Sequence, residues 1–121
     1  MASKRRIEKY RRDLHDILQA QENGVLEKVK AWLISVMNDK VAITKDILCY
    51  VHECVVKMDD ASLKKSIYLF LLDLVHPRAY LFTREIVLVR FSLSELYSEE
   101  NDLKEAARIL QGFPFERLKE S

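Results

Sequence analysis

The chain has 121 residues, a net charge of +1, and only two glycines and two prolines. That length allows one domain with a core, though a domain this small buries only about two-thirds of its unfolded surface. So few turn formers exclude the many short loops of a β-sandwich or barrel, and an all-helical protein is expected. Near-neutral charge excludes a uniformly basic nucleic-acid binder, yet the first twelve residues carry six basic side chains and one acidic, a local +5, leaving −4 for the remainder.

In chain order, six helices are expected from apolar period and punctuation. The first spans residues 3–21, with Ile7, Tyr10, Leu14, Ile17 and Leu18 on one stripe and a stop at Asn23-Gly24. The second spans 25–37 and presents Leu26, Val29, Leu33, Val36 and Met37, with Trp32 beside them, before Asn38-Asp39. The third, 44–58, is expected to open with Thr44 as N-cap and Asp46 in its first turn, with Ile47, Val51, Cys54, Val55 and Met58 inward. The fourth, 63–75, follows a cap at Asp59, Asp60 and Ser62 and is apolar on nearly every side from Ile67 onward, so an interior position is expected. Pro77 disfavours helical geometry at His76 and should end it. The fifth spans 83–98 and the sixth 102–111, closed by Gly112 and Pro114.

Leu93, Ser94, Tyr97, Leu103, Ala106 and Leu110 carry a packing pattern. A bulky residue, a small one and an aromatic three positions later, followed by an alanine on the next helix, resemble half of a tetratricopeptide-type repeat. Arg90 stands at the repeat's opening tryptophan position and Phe113 at its late alanine, so the repeat is a relaxed one. The turns within successive helix pairs fall near Asn23, Asp60 and Asn101, a spacing of about 37 to 41 positions, close to HEAT-like units. The expected fold class is all-α, a right-handed superhelical α-α solenoid of about three helix pairs with TPR/HEAT-like repeats, in one domain covering residues 1–121.

Candidate chemistry is sparse. Cys49, His52 and Glu53 share a helical face, but zinc sites carry four ligands from closing loops or two elements, so no metal is expected. Five positions separate Cys49 from Cys54, about 140° around a helix, so a mutual disulfide is not expected. No Gly-rich phosphate loop or Gly-x-Ser-x-Gly elbow occurs, and no acidic pair has apolar surroundings. No catalytic residue, cofactor or small-molecule substrate is expected. The longest apolar stretch, residues 67–72, falls far below the roughly 20 residues of a spanning helix, and nothing resembles a signal peptide. A soluble protein of a reducing compartment, cytoplasm or nucleus, is expected, without a membrane partner.

Lys4, Arg5, Arg6, Lys9, Arg11 and Arg12 form the strongest charged feature. They are either a solvated outer face, or a contact for phosphates, a nuclear-import signal or a dock for an acidic protein surface. Aromatic interleaving is limited to Tyr10, so base stacking has little support and no nucleic-acid partner is expected.

Residues 77–116 add a family likeness. Pro77-Arg78, Phe82, Arg90, Leu93 and Tyr97, the acidic turn at Glu100 and Asp102, Ala106, Ala107 and Leu110, and Gly112-x-Pro114-x-Glu116 agree in order and spacing. Together they resemble the COP-nine signalosome branch of the PCI-domain scaffold family. Lys9-Tyr10-Arg11 adds a looser upstream likeness. Thr83 and Arg84 stand where family members carry acidic residues. The resemblance implies a noncatalytic, N-terminal arm of helical repeats, with the winged-helix PCI module outside this chain. It implies as partners other signalosome subunits and the cullin and RING subunits of a cullin-RING ligase. The implied role is support of cullin deneddylation, whose zinc isopeptidase centre lies on another subunit. Two alternatives stay open: a non-ATPase scaffold subunit of the proteasome lid, sharing the Ala-Ala-x-x-Leu helix, and an adaptor using the basic first helix on nucleic acid or an acidic surface.

Overall fold

The computed structural model describes residues 2–20 and 23–111. Six helices succeed one another: α1 (Ala2–Ala20), α2 (Val25–Met37), α3 (Val41–Val56), α4 (Ala61–Val75), α5 (Thr83–Glu99) and α6 (Leu103–Leu110), with a 3₁₀ segment, His76–Leu81, between α4 and α5. Among the described residues there is no strand. The expected last residue of the first helix, Gln21, and the expected positions Gly112, Phe113, Pro114 and Glu116 lie outside the described residues.

Local chemistry explains most of the boundaries. Gly24 precedes α2 at φ 83°, in the left-handed region that glycine enters without a Cβ clash. Asn101 turns the chain between α5 and α6 at φ 62°, a conformation asparagine tolerates better than most residues. Asp60 caps α4 by accepting from the Leu63 backbone N–H at 3.1 Å, and Asp102 caps α6 by accepting from Glu105 N–H at 3.2 Å.

The start of α3 differs from the sequence expectation. The helix opens at Val41 with Lys40 in the N-cap position, so Thr44 is no cap and Asp46 lies beyond the first turn. Thr44 is instead buried, and its hydroxyl donates to the Val36 carbonyl near the end of α2 at 2.8 Å. A tertiary partner has claimed the hydroxyl that a cap would use. Met58 falls outside α3, which ends at Val56. At the other proline, α4 ends at Val75 as expected, but His76 keeps helical angles (φ −50°, ψ −48°). Pro77 sits in the first turn of the 3₁₀ segment, where its missing N–H costs nothing.

Each helix packs on the next, and α1 also reaches α3, α2 reaches α4, and α3 reaches α5. The core runs continuously through these contacts, with Leu14, Leu33, Ile47, Tyr68, Phe82 and Leu93 all buried. Burial of such apolar side chains, at roughly 25 cal/mol per Å², is the main term holding the helices together. The expected interior position of α4 is only half met. Ile67, Tyr68, Leu71 and Val75 are buried, while Leu69 is 40% exposed, because α2, α3 and α5 leave one flank of α4 open. Among the described residues no helix is long and apolar enough to cross a membrane.

Candidate interaction surface

The basic run on α1 divides into two groups. Arg6 pairs with Asp39 at 2.8 Å and Arg11 with Asp46 at 2.7 Å, while the Arg11 guanidinium lies 5.2 Å from the centre of the Tyr50 ring. These two arginines fasten α1 to the α2–α3 turn and to α3. Lys4, Arg5, Lys9 and Arg12 are exposed and form no ion pair among the described residues. Asp39 is the centre of the first clasp. Its carboxylate also accepts from the Tyr10 hydroxyl at 2.7 Å and from the Lys40 N–H at 2.7 Å. Burial works against the charge, but the bonds from Tyr10, Lys40 and Arg6 outweigh it and hold Asp39 below the usual carboxylate range. Burial and the Asp39 bond push the Tyr10 hydroxyl up to about 12. The Tyr10 ring packs edge-on to Trp32, whose indole N–H donates to the Tyr10 carbonyl at 3.1 Å.

The residues that carry the family likeness divide between interior and surface: Phe82, Leu93 and Ala106 are buried, Arg78, Arg90, Tyr97 and Leu110 half-buried, and Pro77, Glu100, Asp102 and Ala107 exposed. Arg78 donates to the Met37 carbonyl at the end of α2, at 2.7 Å, and lies over the fully buried Phe82 ring. Arg90 donates to the Ile109 carbonyl near the end of α6 at 3.0 Å. Both guanidinium groups sit where helix carbonyls lack partners and the dipole is negative. Burial and the neighbouring Arg108 lower the Arg90 pKa from its ordinary value. Glu100 accepts from Lys65 at 2.7 Å, and the same ammonium lies 5.1 Å from the Tyr97 ring centre, so both motif residues are held by α4.

The repeat-packing residues behave unequally. Leu93 is fully buried, Ser94 and Ala106 nearly so, and the Ser94 hydroxyl donates to the Ala106 carbonyl at 2.9 Å. A small residue at both places lets α5 and α6 approach closely. Tyr97 and Leu110 are half-buried. Leu103, expected in the packing, is 65% exposed. The short α6 packs through Ala106 and Ile109, and Leu103, three positions before Ala106, is the first residue of the helix, at its exposed end. The sequence frame missed Ile109, Lys65 and the two acids Asp39 and Asp46. Their partners lie between 19 and 35 positions away, so no local pattern signals them.

Cys49, His52 and Glu53 do not converge. Cys49 is exposed, and its thiol is pushed up by burial of the sulfur and by the charges of Glu85, Asp46 and Glu53. His52 Nδ1 lies 3.2 Å from the hydroxyl of the buried Tyr68, and burial lowers the His52 pKa against an opposing pull from Glu53. Among the described residues no group of three His, Cys, Asp or Glu side chains is placed to hold a metal. Cys49 and Cys54 are both free thiols.

No family model matches the chain. Among curated proteins it is 28% identical over 115 residues to the COP9 signalosome complex subunit 4 of Drosophila melanogaster, an alignment covering 93% of this chain and 28% of that protein. The chain therefore spans just over a quarter of the relative's length. The likeness extends well beyond residues 77–116 and supports a distant relationship to a signalosome subunit.

Proposed function

We propose that the chain is a noncatalytic scaffold and protein-interaction arm of a signalosome-type assembly. The observation that carries this reading is the likeness to a signalosome subunit across 93% of the chain. The chain is here read as a right-handed superhelical solenoid of about three TPR/HEAT-like pairs in one helical-repeat domain over residues 1–121, and the contacts of α1 with α3, α2 with α4 and α3 with α5 support the stacking of its helices. In this reading the arm belongs to the PCI-domain scaffold family and binds other signalosome subunits. It helps dock the cullin and RING subunits of a cullin-RING ligase in the cytoplasm and nucleus. The deneddylating isopeptidase centre then belongs to another subunit, and the arm's part is placement of the substrate. The bonds of Arg78, Arg90 and Glu100 fit this division, since these side chains are engaged in holding elements of the fold together and leave binding to other exposed residues.

The test is a pull-down with the tagged chain against purified signalosome subunits and a purified cullin–RING pair, beside an unrelated helical repeat as control. Enrichment over the control is expected for the signalosome subunits and for the cullin–RING pair. Equal recovery on both baits for every subunit would reject the reading.

A further inference from the structure

We propose that Arg5, Lys9 and Arg12 form a docking stripe for an acidic helical segment of a protein partner. The inference rests on the scaffold reading and names the chemistry of one partner. Spacings of four and three positions bring the three side chains to within about 60° of one another around α1, over a length of about 10 Å. Leu14, nine positions after Arg5, points to the opposite side and is buried in the core. The stripe therefore faces directly away from α2 and α3, and Arg5, Lys9 and Arg12 are all exposed. Structural need does not account for them. The two basic residues that fasten α1 are Arg6 and Arg11, each already engaged by an aspartate.

The surroundings favour discrete carboxylates over a phosphate chain. Tyr10, the aromatic residue of α1, is packed edge-on to Trp32 and bonded to Asp39, so among the described residues of α1 no ring is free to stack a base. Glu8 is exposed at the side of the stripe, and Asp16 is exposed on its line one turn beyond Arg12, so the positive charge is bounded to these three residues and does not form the longer continuous track that a phosphate chain follows. A short partner helix with acidic residues at i, i+4 and i+7 meets the three cations one for one over the same length.

Fluorescence anisotropy on the full 121-residue chain tests the stripe. The probes are an alanine-based helical peptide with glutamates at i, i+4 and i+7, a peptide of equal composition with the glutamates spread around the helix, and a single-stranded oligonucleotide of equal charge. The laddered peptide should bind best and weaken with salt. Replacing Arg5, Lys9 and Arg12 together by Ser should reduce its affinity about tenfold, as three exposed pairs of modest strength allow. Lys104→Ser, an exposed lysine on α6, should leave it unchanged. All three stripe residues are exposed, so the triple variant should keep the wild-type circular dichroism and melting point. Tighter binding of the oligonucleotide, equal binding of the two peptides, or an unaffected triple variant would overturn the docking stripe. If the laddered peptide fails while purified signalosome subunits are still retained, the stripe is rejected and the scaffold reading stands; loss of retention with peptide binding intact rejects the scaffold reading alone.

Discussion

The two halves of the molecule are fastened by different chemistry. Around α1, α2 and α3 two clasps are built on carboxylates, with Arg6 and Tyr10 meeting on Asp39 and Arg11 on Asp46, beside the bonds of Trp32 and Thr44 to backbone carbonyls. Around α4, α5 and α6 side chains mainly meet backbone: Arg78 on Met37 of α2, Arg90 on Ile109, and Ser94 on Ala106, with Lys65 on Glu100 as a charged pair between elements and Arg108 on Glu105 as one within α6. A backbone carbonyl cannot be protonated in the accessible pH range, whereas a carboxylate can. The first half should therefore answer to acid and the second should answer mainly to packing.

The largest effect should come from removing packing in the second half. Phe82 is fully buried between α4 and α5, and its ring carries the Arg78 guanidinium. Phe82→Ala should cost about 3–5 kcal/mol, a large part of the stability of a domain this size. Thermal or urea unfolding checks it, and the deficit should be the same at pH 7 and at pH 4. A loss below 1 kcal/mol would mean that the ring is not a core element and that Arg78 holds its place without it.

A smaller effect should result from crowding the α5–α6 contact. Ala106 is 7% exposed and its carbonyl receives the Ser94 hydroxyl. Ala106→Leu should overpack that contact and cost about 1–3 kcal/mol. An unchanged melting point would place Ala106 outside the close contact and remove the packing basis for the repeat. Leu103→Ala serves as the contrast, since an exposed residue at the helix start should change stability little.

The periodic signals were legible and the long-range ones were not. The bounds of α2, 25–37, and the caps at Asp60 and Asp102 are set by local residues, because a cap and an apolar stripe are decided within a turn or two. Thr44 misled because its hydroxyl has a partner eight positions back that a cap reading does not consider. The 3₁₀ segment at His76–Leu81 was hidden because Pro77 marks a helix end without specifying the conformation of the residues after it. On the surface, the basic run was visible as a cluster of charge, but its division into clasp and free stripe was not. That division depends on Asp39 and Asp46, which come from other helices or turns. The family-like motif was legible too, yet the fastening role of Arg78 and Arg90 appears only when they are seen on helix ends.

The smallest and most specific effect should separate the two halves by pH. Asp39 is held below its ordinary value, about 3.9 in an unfolded chain. Its contribution to stability is therefore fully present above that value and is lost as pH falls through the lower folded-state value. Asp39→Asn should cost about 1–2 kcal/mol at pH 7, since the Arg6 pair goes while an amide oxygen still accepts one bond. In acid the wild type loses its own advantage, so the gap between wild type and variant should close as pH falls, whereas the Phe82→Ala gap stays open. From the alkaline side the same clasp should loosen again. Tyr10 is raised to about 12 from 10, so its contribution is present below pH 10 and lost as pH rises through the folded-state value. An Asp39→Asn deficit that is the same at pH 7 and at pH 2 would show that the carboxylate charge does not hold α1, and the contrast between the halves would reduce to packing alone.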